Sequence, residues 1–180
     1  MLAPARRAPI VSRMMLPAAY RWPLFAALAS ALILGGAYFF QYVLHYAPCA
    51  LCYDQRHIHQ AVIGAGLLTG LVMHLAPGTR RFGWLACLLV GAIYVYSAGF
   101  AGWHAGIEYG WWEGPATCTN TGDTSVSMDD LNALLSGDGD PIVLCDEAAW
   151  TLFGISMAGY NALMSAGLAG LSGLIAWRRA

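Results

Sequence analysis

Pro48-Cys49-Ala50-Leu51-Cys52-Tyr53-Asp54-Gln55-Arg56 is the stretch on which the rest of the chain is arranged. It holds two cysteines three residues apart, with an arginine four residues past the second. On either side lies an apolar segment long enough to cross a bilayer. A CxxC by itself serves zinc sites, redox sites and plain structural pairs. At a membrane surface beside a cation, it narrows to redox chemistry. Pro48 is a residue type favoured where helices start. A helix opening here sets its N-terminal dipole and the Arg56 charge in favour of thiolate over thiol. Cys52 and Arg56 are then i and i+4 and share a face. The plainer reading of Arg56 is a side chain that snorkels to the headgroups.

Composition makes this an integral membrane protein. Of 180 residues, 58% are hydrophobic and 11% charged, against about 25% charged in soluble domains. The mean hydropathy is +0.54. A transmembrane helix needs ~20 apolar residues, so the length accommodates four spans and one modest extramembrane segment. Spans are expected at about 24–44, 58–76, 82–103 and 150–177, with outward loops at about 45–57 and 104–149, in one domain covering residues 1–180. The expected fold class is an all-α membrane protein, an antiparallel four-helix transmembrane bundle with a long periplasmic loop carrying a short amphipathic helix. A net charge of −1 gives nucleic acid nothing to bind.

Several local signals refine this plan. Ala29-Ser30-Ala31 resembles a signal-peptide cleavage site, but the apolar run continues past it, which favours a retained span. Trp22 and Tyr42 suit interfacial anchors at the two ends of that span. Gly66-Leu67-Leu68-Thr69-Gly70 in the second span permits close helix contact. Residues 104–147 contain no Lys or Arg and nine acidic side chains, among many turn formers. Within them, Ser127-Met128-Asp129-Asp130-Leu131 opens like a capped helix, followed by Leu134 and Leu135 at helical spacing. That short helix could lie on the membrane surface.

All nine basic residues are arginines, and eight of them lie in the N-terminal arm, the turn after the second span and the C-terminus. Only Arg56 falls on the other side. The positive-inside rule puts the majority in the cytoplasm. Both termini are then cytoplasmic, and Cys49, Cys52, Cys118 and Cys145 face outward, into the oxidising periplasm of a bacterium. Cys87, inside the third span, reads as a small buried hydrophobe.

Three chemistries compete for the outward cysteines. They could staple the loops, as in many exported proteins. This suits Cys118 and Cys145, but a Cys49–Cys52 bridge closes too small a ring to constrain much of the unfolded chain. They could bind zinc or copper through Cys49, Cys52, His57 and His59, with His45 nearby, although Arg56 would then sit beside the cation. Or Cys49 and Cys52 form a redox pair at the bilayer edge, reached by a soluble thiol protein from one side and a lipid-soluble acceptor from the other. A second cysteine pair on an acidic loop is what such a relay needs, because exchange proceeds through mixed disulfides.

Cys49-Ala50-Leu51-Cys52-Tyr53-Asp54-Gln55-Arg56 resembles the C-x-L-C-x-x-x-R signature of the DsbB/DsbI-like disulfide bond formation proteins. Gly114-Pro115-Ala116-Thr117-Cys118 and Trp150…Phe153-Gly154 are similar to that family's loop and the start of its fourth span, and the likeness covers nearly the whole chain. The resemblance implies a quinone-dependent protein-disulfide oxidoreductase of the bacterial inner membrane. Its cofactor would be a quinone, ubiquinone or menaquinone, drawn from the membrane quinone pool. Its soluble partner would be a DsbA-like periplasmic thiol oxidoreductase, a system that keeps the periplasm oxidising. By position, Cys52 would contact and reduce the quinone, and Cys49 would exchange with the loop pair. Cys118 would form the mixed disulfide with the partner, and Cys145 would resolve to Cys49. Arg56 would hold the quinone, with His104 near it. Gln55 and the His-rich Arg56-His57-Ile58-His59 depart from the pattern of many members.

Overall fold

The computed structural model describes residues 18–115, 118 and 143–178. Among these, four long helices carry the architecture: α1 (Trp22–Tyr42), α2 (Ala50–Leu75), α3 (Gly83–Glu108) and α4 (Met157–Trp177). A 3-10 turn, Pro77–Phe82, joins α2 to α3. Three helical segments, Trp22–Tyr42, Ala50–Leu75 and Pro77–Glu108, are long and apolar enough to cross a membrane. The protein is a mostly helical membrane protein. Helix α4 has 21 residues and no charge, and Tyr160, Asn161, Ser165 and Ser172 lower its hydropathy.

Neighbouring helices run in alternating directions. Gly66 and Gly70 of α2 lie against Pro23, Leu24 and Ala27 at the start of α1, while Arg56, near the start of α2, reaches Gln41 at the end of α1. A Cβ at Gly66 would stand 2.9 Å from that of Ala27, so the GxxxG face is where the two backbones close on each other. Helices α3 and α4 cross-bond in the same antiparallel sense, with Ser97 Oγ 2.9 Å from Ser165 Oγ and Gly91 packed on Ser172.

Only 22% of the most apolar stretch of α1 and 28% of that of α2 is buried. Leu28, Leu32, Leu68 and Leu75 point outward. Water would penalise this arrangement and lipid would not. Inside, Tyr94, Val62, Val90, Cys87 and Ile175 form the core. Cys87 is fully buried and its thiol meets the Ala19 carbonyl at 3.3 Å. Because lipid is as apolar as leucine, the helices are joined by polar side chains. The Trp22 indole donates to Ser172 Oγ at 2.8 Å. Trp22 is therefore a buried clamp between α1 and α4, in place of the interfacial anchor its sequence position implied.

Three boundaries differ from the sequence reading. Helix α2 begins at Ala50, so the CxxC and Arg56 lie in its first turns and the loop before it is short. Helix α3 continues to Glu108. Helix α4 starts at Met157, where the Ser156 hydroxyl caps it by accepting from the Gly159 amide at 3.1 Å. The seven residues ahead of it are no helix. They include a small hairpin, β1 (Thr151–Leu152) with β2 (Ile155–Ser156), within a mostly helical fold. Its turn residues Phe153 and Gly154 have φ of 50° and 77°, the paired positive values of a tight hairpin. The amphipathic helix expected at Ser127–Leu135 lies outside the described residues.

Candidate functional site

Cys49 is the N-cap of α2, with extended backbone (φ −78°, ψ 173°), and its carbonyl accepts from the Cys52 amide at 3.1 Å. That first turn brings the two sulfurs to 3.0 Å, with the Cys49 thiol donating to Cys52. The hydrogen bond to Cys52, then burial, pushes the Cys49 thiol well above the usual thiol range.

The two sulfurs face different surroundings. Cys49 packs in a buried cluster with Leu51, Ile107, Cys118 and Cys145. Cys118 and Cys145 are joined as a disulfide, with Cα atoms 5.3 Å apart, and the Cys145 amide donates to the Cys118 carbonyl at 2.5 Å. The Cys49 sulfur, the Cys145 sulfur and a ring nitrogen of His104 all lie within 4.8 Å of one another. Cys52, at the edge of that cluster, also lines an apolar cavity of about 530 Å³ between α1, α2 and α4. Leu32, Ile33, Phe40, Met157 and Met164 supply much of its wall. Trp150, against Phe40 at 5.0 Å between ring centres, closes one end. The hairpin is held there by Tyr109, whose hydroxyl accepts from the Ser156 amide at 2.9 Å and donates to the Gly154 carbonyl at 3.2 Å.

Arg56 stands on the cavity wall, 8% exposed. Its Nη1 donates to Gln41 Oε1 at 2.5 Å, and its guanidinium lies 5.0 and 5.1 Å from the Tyr38 and Tyr53 ring centres. Among the described residues no carboxylate pairs with it; the ion pair found there, His104 with Glu108 at 3.9 Å, lies elsewhere. A buried guanidinium held by rings and an amide keeps its charge available to an oxygen acceptor. This is not a snorkelling side chain.

His104 is 1% exposed in the last turns of α3, its Nε2 3.6 Å from the Cys49 sulfur. The structure thus brings Cys49, Cys52, Arg56, His104, Cys118 and Cys145 to one end of the helices. His57 and His45 are exposed, and His59 turns away from the thiols to Asn161 and Ser30, so the metal set Cys49, Cys52, His57 and His59 does not converge. Two residues at the site carry no role in the sequence reading, Gln55 and Asn161, and His59 figured there only as a metal ligand. Gln55 and His59 continue the Cys52 stripe at i+3 and i+7, and an amide in an apolar span is itself a signal, because buried polar groups in a membrane need partners. Glu108, whose side chain is 6% exposed, is a third.

The family model described as "Disulfide bond formation protein DsbB" matches residues 19–175. The chain is 33% identical over 153 residues to Disulfide bond formation protein B 2 of Pseudomonas syringae pv. syringae, covering 80% of each chain. It is 29% identical over 171 residues to Disulfide bond formation protein B of Methylococcus capsulatus, covering 91% of this chain and 97% of that one. No solved structure matches. The matched segment includes all five cysteines and all but the last two residues of the four helices, and the chain belongs to the disulfide bond formation protein DsbB family.

Proposed function

We propose that the chain is a thiol–quinone oxidoreductase: it reoxidises a DsbA-like periplasmic dithiol and passes the electrons to membrane quinone. The observation that carries this reading is the opposed placement of the two α2 sulfurs. Cys49 meets the Cys118–Cys145 disulfide, and Cys52 meets the apolar cavity.

The residues around the cavity suit a quinone. Its wall is apolar, its volume admits a ring and the start of an isoprenoid tail, and Arg56 supplies a donor beside Cys52. A bound quinone accepts two electrons and two protons, the equivalents that a dithiol loses in becoming a disulfide. The protein's own part is to bind and to order. Arg56 holds a carbonyl oxygen and stabilises negative charge there, and the apolar wall excludes water. Cys118 takes the mixed disulfide with the soluble partner, and Cys145 then resolves onto Cys49. Each exchange is a thiolate displacement that conserves disulfides, so the pair nearest the cavity is the one left to be reoxidised.

The arginine distribution supports a bacterial inner-membrane location with both termini in the cytoplasm and the thiols in the periplasm. Helix α4 then completes a four-helix transmembrane bundle. The test is direct: purified protein, a reduced DsbA-like dithiol and a quinone, followed by quinone absorbance. Quinone reduction that depends on Cys49 and Cys52 is expected. If the dithiol is added and no quinone is reduced, the loops are merely stapled.

A further inference from the structure

A chain of hydrogen bonds crosses the interior and ends on Cys49. From the sulfur it passes to His104 Nε2 at 3.6 Å, and from His104 Nδ1 to Gln55 Nε2 at 2.6 Å. Gln55 Oε1 accepts from Asn161 Nδ2 at 2.6 Å. Asn161 Oδ1 accepts from His59 Nε2 at 2.8 Å and from Ser165 Oγ at 3.2 Å. His59 Nδ1 meets Ser30 Oγ at 3.2 Å. All four helices contribute, and Gln55, His59, His104, Asn161, Ser30 and Ser165 are all buried.

The polarity of this chain follows from the amides. A carboxamide oxygen only accepts and its nitrogen only donates. His59 and Ser165 fill the Asn161 oxygen, so the Asn161 nitrogen faces Gln55 and takes the Gln55 oxygen. The Gln55 nitrogen is left facing His104 Nδ1, which must accept. A neutral imidazole that accepts at Nδ1 carries its proton on Nε2, the nitrogen beside Cys49. Glu108 Oε1, at 3.9 Å from the same nitrogen, is beyond hydrogen-bond reach, and the Cys145 backbone shares the His104 ring with the Cys49 sulfur.

We infer that Asn161, acting through Gln55, is a positioning residue that holds His104 with its proton on Nε2, aimed at the Cys49 sulfur. The inference rests on the thiol-exchange reading above and adds to it a residue that touches no sulfur. Its use lies in one step. When the Cys118 thiolate attacks Cys145 in a Cys49–Cys145 bond, the Cys118–Cys145 bond forms and the bond to Cys49 breaks. The electron pair stays on Cys49, and there is no net oxidation. A thiol of lower pKa leaves faster, and a donor on the Cys49 sulfur lowers it. The product of that step is the arrangement in the structure, with Cys118–Cys145 joined and Cys49 free beside His104.

The experiment is nitrogen NMR on full-length protein labelled with 15N-histidine, without quinone or partner, the His104 signals being assigned by loss in His104→Gln. An unprotonated Nδ1 and a protonated Nε2 are expected. Asn161→Leu removes the donor and the acceptor while keeping the branched shape, and Asn161→Ala removes them with a smaller side chain. Each is expected to put the proton wholly or partly on Nδ1. Each should also raise the pH midpoint of Cys49 alkylation by about one unit, the scale of one lost hydrogen bond to a charged group. Groups facing Cys49 in that titration are Cys52, Cys145, His104 and Glu108. A wild-type proton on Nδ1, or a tautomer unchanged in both folded variants, overturns the inference. Because the readout needs no quinone turnover, it stands or falls separately from the oxidase assay.

Discussion

Arg56 reaches from α2 to Gln41 at the end of α1, donating from Nη1 to Oε1 at 2.5 Å. That contact, with the Tyr38 and Tyr53 rings, fixes the guanidinium on the cavity wall four residues from Cys52. Arg56→Ala is expected to weaken quinone use by roughly one to two decades, the ~1.5–3 kcal/mol of a charge-assisted hydrogen bond. Disulfide exchange with the soluble partner should change far less. Arg56→Lys should recover only part, since an ammonium lacks the planar fork. Steady-state quinone reduction at varied quinone concentration checks this. Wild-type affinity and turnover in Arg56→Ala would return the residue to a plain interfacial role.

With Cys118 and Cys145 bonded beside Cys49, the loop pair is poised to trap its partner. Cys145→Ser removes the resolving sulfur, so a covalent complex with the DsbA-like protein should accumulate through Cys118. Non-reducing electrophoresis reads it directly. Trapping that survives a further Cys118→Ser change assigns the attacked sulfur elsewhere.

The Cys49 thiol is raised, first by its hydrogen bond to Cys52 and then by burial. A raised pKa keeps the thiol protonated through neutral pH, so alkylation should stay slow there and rise only above the usual thiol range. Measured in a Cys118→Ala, Cys145→Ala background, adding Cys52→Ala removes the larger cause and should move the rise to lower pH. An unchanged profile would mean that burial alone sets the reactivity.

Gly66 packs on the Pro23 carbonyl and the Ala27 methyl, both fixed parts of α1. Gly66→Leu therefore has nowhere to place its side chain and should destabilise the α1–α2 pair by about 1–3 kcal/mol. Gly64→Ala, two residues away in open space, should be close to neutral. Thermal unfolding in one detergent compares the two.

Much of the site could be read from local spacing. Cys49, Cys52 and Arg56 fall within eight residues, and two successive helical turns tie them together. The loop pair followed from cysteines left over outside the apolar runs. The polar chain could not be read that way, because its partners lie far apart in sequence: His59 and Asn161 are separated by 102 residues, Gln55 and Asn161 by 106. Only helix packing selects which polar residue of one span meets which of another. The β1–β2 hairpin escaped for a different reason. Two-residue strands are too short to show an alternating pattern, and the apolar run hid the break before Met157. Trp22 misled because an indole suits a headgroup boundary and a buried hydroxyl equally well.

The opposed placement of Cys49 and Cys52 has a consequence for traffic between two solvents. An acceptor dissolved in lipid meets only Cys52 through the cavity. The Cys118–Cys145 bond lies on the far side of Cys49, in a buried cluster against which Cys52 also packs. Among the described residues, the 3.0 Å contact between the two sulfurs joins that cavity to the disulfide cluster. On the proposed function, the soluble thiol and the lipid acceptor then approach from opposite sides of that contact and do not compete for one seat. Saturating either one should leave the apparent affinity for the other unchanged.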